Sequence, residues 1–430
     1  MIENAYINIW DKRVGAIHWN KDSGIADFEF DPAFLQQKLD VAPLKMPVGT
    51  ARGKIFSFPE LAGSSTYKGL PGLLADVLPD RYGNTLINAW LARVGRPSGS
   101  MNPVEMLCFT GKRGMGALEF EPVVPKSANQ ASVVEVGSLA EIAQQILSGR
   151  QFFQTDLSHD EQKALSDILK IGTSAGGARA KAVIAYNPET GEVRSGQADA
   201  PKGFSQWLLK FDGVDDSQFG TTSGYGRVEM AYYLMAVGCG IEMMECRLFE
   251  EHGRAHFLTR RFDRLHDNEK LHVQTFCAMM HYDFNDIYSY SYEQLFQTMR
   301  MLRLTYPEAE QMYRRMVFNV MAQNCDDHTK NFAFTMNQSV EWKLAPAYDM
   351  CHAYRPGSAW VSQHALSING KRQGITRDDL LEVGRQMNVK KAPAIIRQVS
   401  EVVGNWNEFA GHTEVDSQLR DAIGKTLLII

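Results

Sequence analysis

Short stretches in which apolar and polar residues alternate dominate the first part of the chain. They read YINIW, GAIHW, ADFEFD, KIFSF and GALEFEP, and turn-forming residues separate them. Alternation with a period of two is typical of β-strands that bury one face. Within residues 70–95, leucine and isoleucine instead recur at helical spacing, which predicts a helix. The pattern as a whole predicts a small α+β module that ends near Pro122.

The middle of the chain begins with a segment that has few apolar side chains to bury. Residues 123–138 contain Pro, Ser, Asn and Gln but few large apolar residues, so they predict a linker. Strands and one helix after it indicate a small antiparallel sheet crossed by that helix. The predicted elements of this part are helices at 138–149, 160–172 and 225–240, a strand at 206–213, and hairpins closed around NPETGE and around Gly253.

From about residue 285 the pattern is mostly helical, with one polar interruption. Residues 313–323 read YRRMVFNVMAQ and place apolar residues at helical spacing, which predicts a buried helix face. The stretch FAFTM predicts a strand shortly afterwards. Between them stands NCDDHTKN, residues 324–331. A polar cluster between a core helix and a core strand indicates a site rather than a solvated loop.

Composition narrows the class of protein. The chain has 430 residues, 44% hydrophobic and 22% charged, which is typical of a folded protein with two or three structural units. A net charge of −5 and a pI of about 6.1 argue against a broad nucleic-acid-binding surface, so contact with DNA would require a partner.

The sequence shows no evident targeting signal for a membrane or for an oxidising compartment. The chain opens without a basic segment followed by an apolar one, and no stretch approaches the ~18 apolar residues of a membrane span, so we expect a cytoplasmic protein without a membrane partner. The 6 cysteines include no CxxC pair, which predicts neither a disulfide framework nor a zinc site.

The polar cluster carries residue types that phosphoryl transfer requires. Asp326 and Asn331 have the Asp-x-x-x-x-Asn spacing of a kinase catalytic loop. Asp349, in LAPAYDMC, follows as a second magnesium ligand, because Mg²⁺ prefers carboxylate and amide oxygens. The alternative is a capped turn in which the acidic side chains bind nearby N–H groups.

Two further features fit the same chemistry. Residues 173–181 read TSAGGARAK, and adjacent glycines followed by Lys181 are suited to binding phosphate, although a plain glycine-rich turn is the better explanation of this segment taken by itself. Lys210 lies in the apolar strand WLLKFDG, where it would pair with Glu229 of the following helix and hold ATP phosphates, as in protein kinases. Alternatively, Lys210 extends to water from an edge strand.

These motifs, with RRFDR, LLADVLPDR and GALEFEP, resemble those of HipA-type serine/threonine kinase toxins of bacterial toxin–antitoxin modules. The resemblance covers nearly the whole chain. It implies an α+β, protein-kinase-like two-lobed fold with an additional N-terminal β-rich subdomain. The implied division is an N-terminal subdomain at 1–125, a β-rich N-lobe at 126–265 and a helical C-lobe at 266–430.

The resemblance assigns roles position by position. Asp326 matches the catalytic aspartate, Asn331 and Asp349 match magnesium ligands, and Lys210 matches the lysine that binds ATP phosphates. Ser174 matches an autophosphorylated serine whose modification ejects the phosphate-binding loop and switches the kinase off. The remaining residues assigned to the nucleotide site are the loop Gly176, Gly177, Ala178, Arg179, Ala180 and Lys181, the hinge Arg260, Arg261 and Phe262, and Glu229, Gln274, His328, Lys330 and Tyr348.

Several of these assignments carry alternatives or departures. Lys330 either neutralises the transferring phosphate or pairs with Asp327, and His328 is expected to hold the catalytic loop in shape. Arg260 stands where many relatives have an acidic residue, so side-chain contacts at the hinge can differ. Ala180 replaces a proline that is common in relatives, which changes the stiffness of the loop.

The function implied is an ATP- and Mg²⁺-dependent serine/threonine protein kinase that acts as a toxin. By resemblance, its substrate is a translation component such as glutamyl-tRNA synthetase or another aminoacyl-tRNA synthetase. The expected partner is a HipB-like helix-turn-helix antitoxin, which would bring the complex to operator DNA. The alternatives are a small-molecule or lipid kinase, and a non-catalytic nucleotide-binding corepressor.

Overall fold

The computed structural model describes residues 2–122, 143, 172, 179–196, 199–214 and 223–430. The chain divides into two compact units. The first comprises Met1–Gly226, Arg247–Val273 and Asn337–Val340, and the second comprises Arg227–Cys246, Gln274–Met336 and Glu341–Ile430. The division into three parts expected from the resemblance stays a prediction.

An antiparallel sheet forms the N-terminal part of the first unit, in the order β4-β3-β2-β1-β5. Its core residues follow the period-two pattern: Ala5, Ile7 and Ile9 of one strand are buried, and the residues between them are more exposed. The strands are β1 (Asn4–Ile9), β2 (Lys12–Asn20), β3 (Ile25–Phe30), β4 (Ile55–Phe56) and β5 (Leu118–Pro122).

The helices of this part differ from the prediction. The helix expected within residues 70–95 is confirmed at Arg81–Arg93, but it does not extend further back, because Pro79 cannot continue a helix and Asp80 starts the new one by accepting a hydrogen bond from the Gly83 N–H at 2.7 Å. A short helix was also missed, although Asn102 caps it and Pro103 occupies its first turn. The helices are α1 (Pro32–Gln36), α2 (Gly72–Ala75), α3 (Arg81–Arg93) and α4 (Pro103–Thr110).

A second sheet has the order β7-β6-β8-β10-β9. Trp207, Leu209 and Ile184 pack in its core. The two predicted hairpins are confirmed, and Gly253 has the positive φ of 75° that its turn requires. The strands are β6 (Lys181–Tyr186), β7 (Val193–Ser195), β8 (Ser205–Lys210), β9 (Cys246–Glu251) and β10 (Arg254–Arg260). The predicted linker and the helices at 138–149 and 160–172 lie outside the described residues, apart from Ala143 and Gly172.

A buried charge cluster follows β10. Asp263 is inaccessible to solvent and accepts hydrogen bonds from Arg261, from Arg264 and from the Gly116 N–H. Both guanidinium groups also donate to the carbonyl of Gly114. Burial alone would raise the pKa of Asp263, but the two arginines hold it well below its usual range. The cluster therefore joins two segments distant in sequence through compensated charges.

The second unit is mainly helical, with a small sheet in the order β11-β12-β13. Met316, Val317, Val320 and Met321 are fully buried, so the predicted helix over 313–323 and the strand at FAFTM are confirmed. The strands are β11 (His272–Thr275), β12 (Ala333–Met336) and β13 (Trp342–Leu344). The helices are α5 (Tyr225–Gly238), α6 (Phe276–Met280), α7 (Tyr292–Met301), α8 (Tyr306–Met321), α9 (Arg377–Gln386), α10 (Ala392–Gly404), α11 (Trp406–His412) and α12 (Ser417–Gly424).

Within the part of the chain that the structure describes, none of the helices has both the length and the apolar character needed to cross a lipid bilayer.

Replacement of Asp263 by alanine should destabilise the protein by about 3–5 kcal/mol, because it leaves two buried guanidinium groups without their carboxylate. Denaturant unfolding with a probe in the first unit measures the change. Glu192→Ala, which removes an exposed ion pair with Arg194 in the same unit, is the control and should have a much smaller effect. Equal effects of the two substitutions would contradict the role of the cluster.

The contribution of Asp263 to the free energy of unfolding should be present above its ordinary pKa of 3.8. It should be lost as the pH falls through its lower folded-state pKa.

Candidate active site

The candidate catalytic loop lies between two buried elements of the second unit. α8 ends at Met321, and Gln323 turns the chain with a positive φ of 53°. Residues 324–331 follow, their last three residues form a short 3-10 turn, and β12 begins at Ala333. Because the helix and the strand are both anchored in the core, the polar residues between them have fixed starting and end points.

Asp326 is partly buried and its carboxylate is oriented by neighbouring rings. The Trp360 indole Nε1–H donates to Oδ1 at 2.6 Å, and the His328 Nε2 lies 3.7 Å from the same oxygen. The Asn331 side-chain nitrogen donates to the main-chain carbonyl of Asp326 at 2.7 Å. The residues of the Asp-x-x-x-x-Asn motif are therefore in direct contact, although through the backbone of the aspartate.

Asn331 and Asp349 line the same pocket, together with Arg315, Asn319, Asn324 and Tyr348. The cavity is small, with a volume of about 10 Å³. Since the Asn331 amide nitrogen binds the Asp326 carbonyl, the amide oxygen is the atom that Asn331 offers to a cation. The structure thus brings the two predicted magnesium ligands to one cavity, and Asn331 connects that cavity to Asp326.

The segment that carries Asp349 is tied to the catalytic loop at two points. The Asn324 side-chain amide donates to the Asp349 carbonyl at 3.4 Å, and the Tyr348 hydroxyl donates to the Lys330 carbonyl at 2.8 Å. Asp349 has a positive φ of 51°, a conformation that aspartate tolerates better than most residues. These contacts fix the position of Asp349 beside residues that lie far from it in sequence.

Asp327 differs from its neighbour because its side chain is completely buried. Its carboxylate accepts hydrogen bonds from the Tyr292 hydroxyl at 2.8 Å, the His364 Nδ1–H at 2.9 Å and the Ala365 N–H at 2.7 Å. Burial alone would lower the pKa of His364, but the Asp327 carboxylate raises it to about 10. His364 is therefore protonated at neutral pH, and the buried hydrogen bonds of Asp327 give it a structural role.

The two alternatives for Lys330 are now separated. The partners of the Asp327 carboxylate are Tyr292, His364 and Ala365, whereas the Lys330 ammonium lies 5.2 Å from the ring centroid of Phe284. Pairing of Lys330 with Asp327 is thus not observed, and its role toward phosphate stays a prediction. Among the described residues, no group of three or more His, Cys, Asp or Glu side chains is placed to hold a metal ion. The expected role of His328 in holding the catalytic loop stays a prediction.

The predicted phosphate-binding residues of the first unit lie on neighbouring strands. Lys181 and Lys210 are directly opposite each other in the pairing of β6 with β8. The Lys181 side chain is buried, and its ammonium lies 3.7 Å from the Asp80 carboxylate. The Lys210 ammonium lies 5.7 Å from the ring centroid of Phe257. Ser174, Gly176, Gly177 and Ala178 lie outside the described residues, and the Arg179 guanidinium lies over the Tyr225 ring.

The predicted hinge is engaged in structural contacts. The Arg261 N–H donates to the Gln206 carbonyl at 2.9 Å, and the Arg261 side chain belongs to the Asp263 cluster. Phe262 is largely buried. The Arg261 side chain and N–H are therefore both occupied, and the role of Arg260–Phe262 toward adenine stays a prediction. In the second unit Glu229 and Gln274 are both buried, on α5 and β11 respectively.

Functional side chains outside the motifs could not be identified from the sequence. Trp360 and His364 lie in an irregular segment without periodicity, and Tyr292 opens α7 far upstream. Arg315 gave a weak signal, because it is a charged residue within the apolar run of α8, and it lines the pocket with only 3% of its surface exposed. A charged residue in a predicted buried helix face was the one indication of Arg315 that the sequence offered.

Comparisons with known proteins concern the domains and the fold of the chain. Residues 5–121 match the model of the HipA N-terminal domain, and residues 173–406 match that of the HipA-like C-terminal domain. The chain superposes on the HipA toxin of Shewanella oneidensis MR-1, solved in complex with HipB and operator DNA. The TM-score is 0.65 and the identity 14%, over 99% of this chain and 100% of that one.

A weaker similarity relates the chain to the proinflammatory kinase CtkA of Helicobacter pylori. The TM-score is 0.34 and the identity 14%, over 58% of this chain and 92% of that one. No curated protein matches the sequence.

The Shewanella HipA structure and the two family models define first a class and then a family. The fold is that of an α+β, protein-kinase-like protein, as predicted from the sequence. The chain belongs to the HipA family, and both characteristic domains of that family are present.

The buried pair gives a test by NMR. The His364 imidazole should remain protonated from pH 6 to 8.5, because Asp327 raises its pKa to about 10. The stability that this pair provides should be fully present below pH 6.5 and be lost as the pH rises toward about 10. His352, whose pKa is lowered to about 4 by burial, should stay neutral over the same range and serves as the internal control. An imidazole signal of His364 that titrates near pH 6.5 in the folded protein would disprove the pairing.

Proposed function

We propose that this protein is an ATP- and Mg²⁺-dependent serine/threonine protein kinase that acts as the toxin of a toxin–antitoxin pair. The observation that carries the proposal is the connection of three residues, Asp326, Asn331 and Asp349, that are separated in the sequence. Asn331 binds the backbone of Asp326, and Asn331 and Asp349 line one pocket. Membership of the HipA family supports the same activity.

The residues present suit a magnesium ion. Asn331 offers an amide oxygen and Asp349 a carboxylate, and Mg²⁺ prefers such hard oxygen ligands, with phosphates and water completing its shell. When bound, the ion would neutralise charge on the transferring phosphoryl group.

The remaining roles follow from chemistry and position. Asp326 orients or deprotonates the substrate hydroxyl, since its carboxylate is partly exposed and held by Trp360. Lys210 and the loop from Gly176 to Lys181 hold the ATP phosphates, and Ser174 is the site of autophosphorylation. Lys330 would neutralise charge on the transferring phosphate.

For the partner, we propose a HipB-like helix-turn-helix antitoxin that carries the complex to operator DNA. The Shewanella HipA structure contains such an antitoxin together with DNA. The net charge of −5 supports contact with DNA through the partner rather than through the kinase itself. The proposed substrate is an aminoacyl-tRNA synthetase, such as glutamyl-tRNA synthetase, in the cytoplasm. Phosphoproteomics after induced expression identifies the target and separates protein substrates from lipid or small-molecule acceptors.

Asp326→Ala and Asp349→Ala should each reduce transfer of labelled phosphate from ATP by at least about 100-fold, because one removes the group that orients the hydroxyl and the other a magnesium ligand. Circular dichroism should show an unchanged fold. Asp421→Ala, which removes an exposed carboxylate on α12, is the matched control and should retain full activity. If the Asp326 and Asp349 variants phosphorylate at the rate of the parent protein, the assigned roles are wrong. If the parent protein binds ATP but transfers no phosphate, the chain is a nucleotide-binding corepressor instead.

Ser174→Ala should prevent self-inactivation, because the proposed switch requires a phosphate on this hydroxyl. Activity measured after preincubation with ATP should therefore be higher than that of the parent protein, and growth inhibition on expression should be stronger. Mass spectrometry of the parent protein provides the check on the site. Phosphate found on another residue, with Ser174 unmodified, would exclude this switch.

A further inference from the structure

Asp326 and Asp327 are both held by one segment of the second unit, which we call the tryptophan loop (residues 355–365). Trp360 donates to the Asp326 carboxylate, while His364 and Ala365 donate to the Asp327 carboxylate. The two adjacent aspartates of the catalytic loop are thus bound by residues of one other loop, in which His364 and Ala365 lie four and five positions after Trp360. The family motif Asp-x-x-x-x-Asn gives no indication of this contact.

Internal hydrogen bonds preorganise the tryptophan loop. The Arg355 N–H donates to the Val361 carbonyl at 3.1 Å, and the Ser358 N–H donates to the Arg355 carbonyl at 3.1 Å. The Ser358 hydroxyl accepts from the N–H groups of both Trp360 and Val361 at 3.2 Å. A closed turn of this kind reduces the number of conformations open to the tryptophan before it contacts Asp326.

The indole ring itself is held by two aromatic neighbours. Its centroid lies 6.3 Å from that of Phe284 and 6.0 Å from that of His328, both in edge-on geometry. Phe284 and His328 also contact each other, at 5.2 Å between centroids. The position of the indole N–H therefore depends on packing and on the turn, as well as on the hydrogen bond to Asp326.

We infer that Trp360 is a positioning residue for phosphoryl transfer, which fixes the Asp326 carboxylate in the orientation that receives the substrate hydroxyl. This inference rests on the proposed kinase function. The indole N–H is a donor that cannot accept a proton, so it fixes the oxygen Oδ1 without competing for the proton of the hydroxyl. Fixing one oxygen and the plane of the carboxylate also fixes the direction of the other oxygen. The buried pair of Asp327 with His364 anchors the loop that makes this contact.

Trp360→Phe is the decisive variant, because it keeps an aromatic ring against Phe284 and His328 but removes the N–H. We expect kcat for phosphoryl transfer to fall by roughly 10- to 100-fold, as for loss of a hydrogen bond to a charged group. The KM for ATP should change less than twofold. Trp406→Phe is the matched control, since it removes an indole hydrogen bond of similar length, 2.9 Å to the Arg420 carbonyl, outside the pocket. It should leave kcat unchanged.

An unchanged kcat in Trp360→Phe would overturn the inference. A raised kcat would overturn it too, because it would make the indole an obstacle to the substrate rather than a support for Asp326. A fall in kcat equal to that of Trp406→Phe would indicate a general effect on the fold and would likewise overturn it.

A second measurement does not depend on catalysis. In the protein labelled with ¹⁵N-tryptophan, the Trp360 indole proton should resonate downfield and should move upfield in Asp326→Ala, since its acceptor is lost. The Trp406 indole signal should not move. An unaffected Trp360 signal would overturn the contact even if the proposed kinase activity is confirmed. Conversely, if the parent protein transfers no phosphate, this measurement still decides whether Trp360 holds Asp326.

Discussion

The carboxylate of Asp327 is the group on which the arrangement of the second unit depends. It is fully buried, and a charge removed from water is tolerated only where hydrogen bonds and an opposite charge compensate it. His364 supplies the charge, and Tyr292 and the Ala365 N–H supply further hydrogen bonds. These donors come from α7 and from the tryptophan loop. The hydrogen bonds of the carboxylate therefore form only when α7, the tryptophan loop and the catalytic loop are all in place.

This constraint explains why two aspartates stand next to each other. Asp327 holds the loop, and Asp326, one residue earlier, remains partly exposed with its carboxylate held by Trp360. A chain of polar contacts continues from Asp327 through Tyr292, Asn319 and Asn324 to the Asp349 carbonyl. The same network thus fixes the loop that carries Asp326 and the segment that carries Asp349, although 22 residues of sequence separate the two aspartates.

The sequence predicted much of the fold where one period dominates. β1, β3 and β5 alternate between more buried and more exposed residues, and α8 buries one complete face, so both periodicities could be recognised in the sequence. The interpretation failed where a single residue decides the boundary. Pro79 and the Asp80 cap divide the expected helix within residues 70–95, and the short α4 depends on the Asn102 cap rather than on a long apolar stripe.

In the candidate site, too, some features follow from the local sequence and others depend on contacts between residues that are distant in the sequence. Spacing and residue type in the sequence were sufficient to identify Asp326, Asn331 and Asp349 as candidates, because a kinase-like loop places its ligands at fixed local intervals. The sequence alone also left two roles open for Lys330 and for the acidic pair. Only the tertiary structure assigned Asp327 to the buried network with His364 and Tyr292, and only it brought Trp360 to Asp326. Their contacts span up to 37 residues of sequence, and no local pattern encodes which distant donor will satisfy a buried carboxylate.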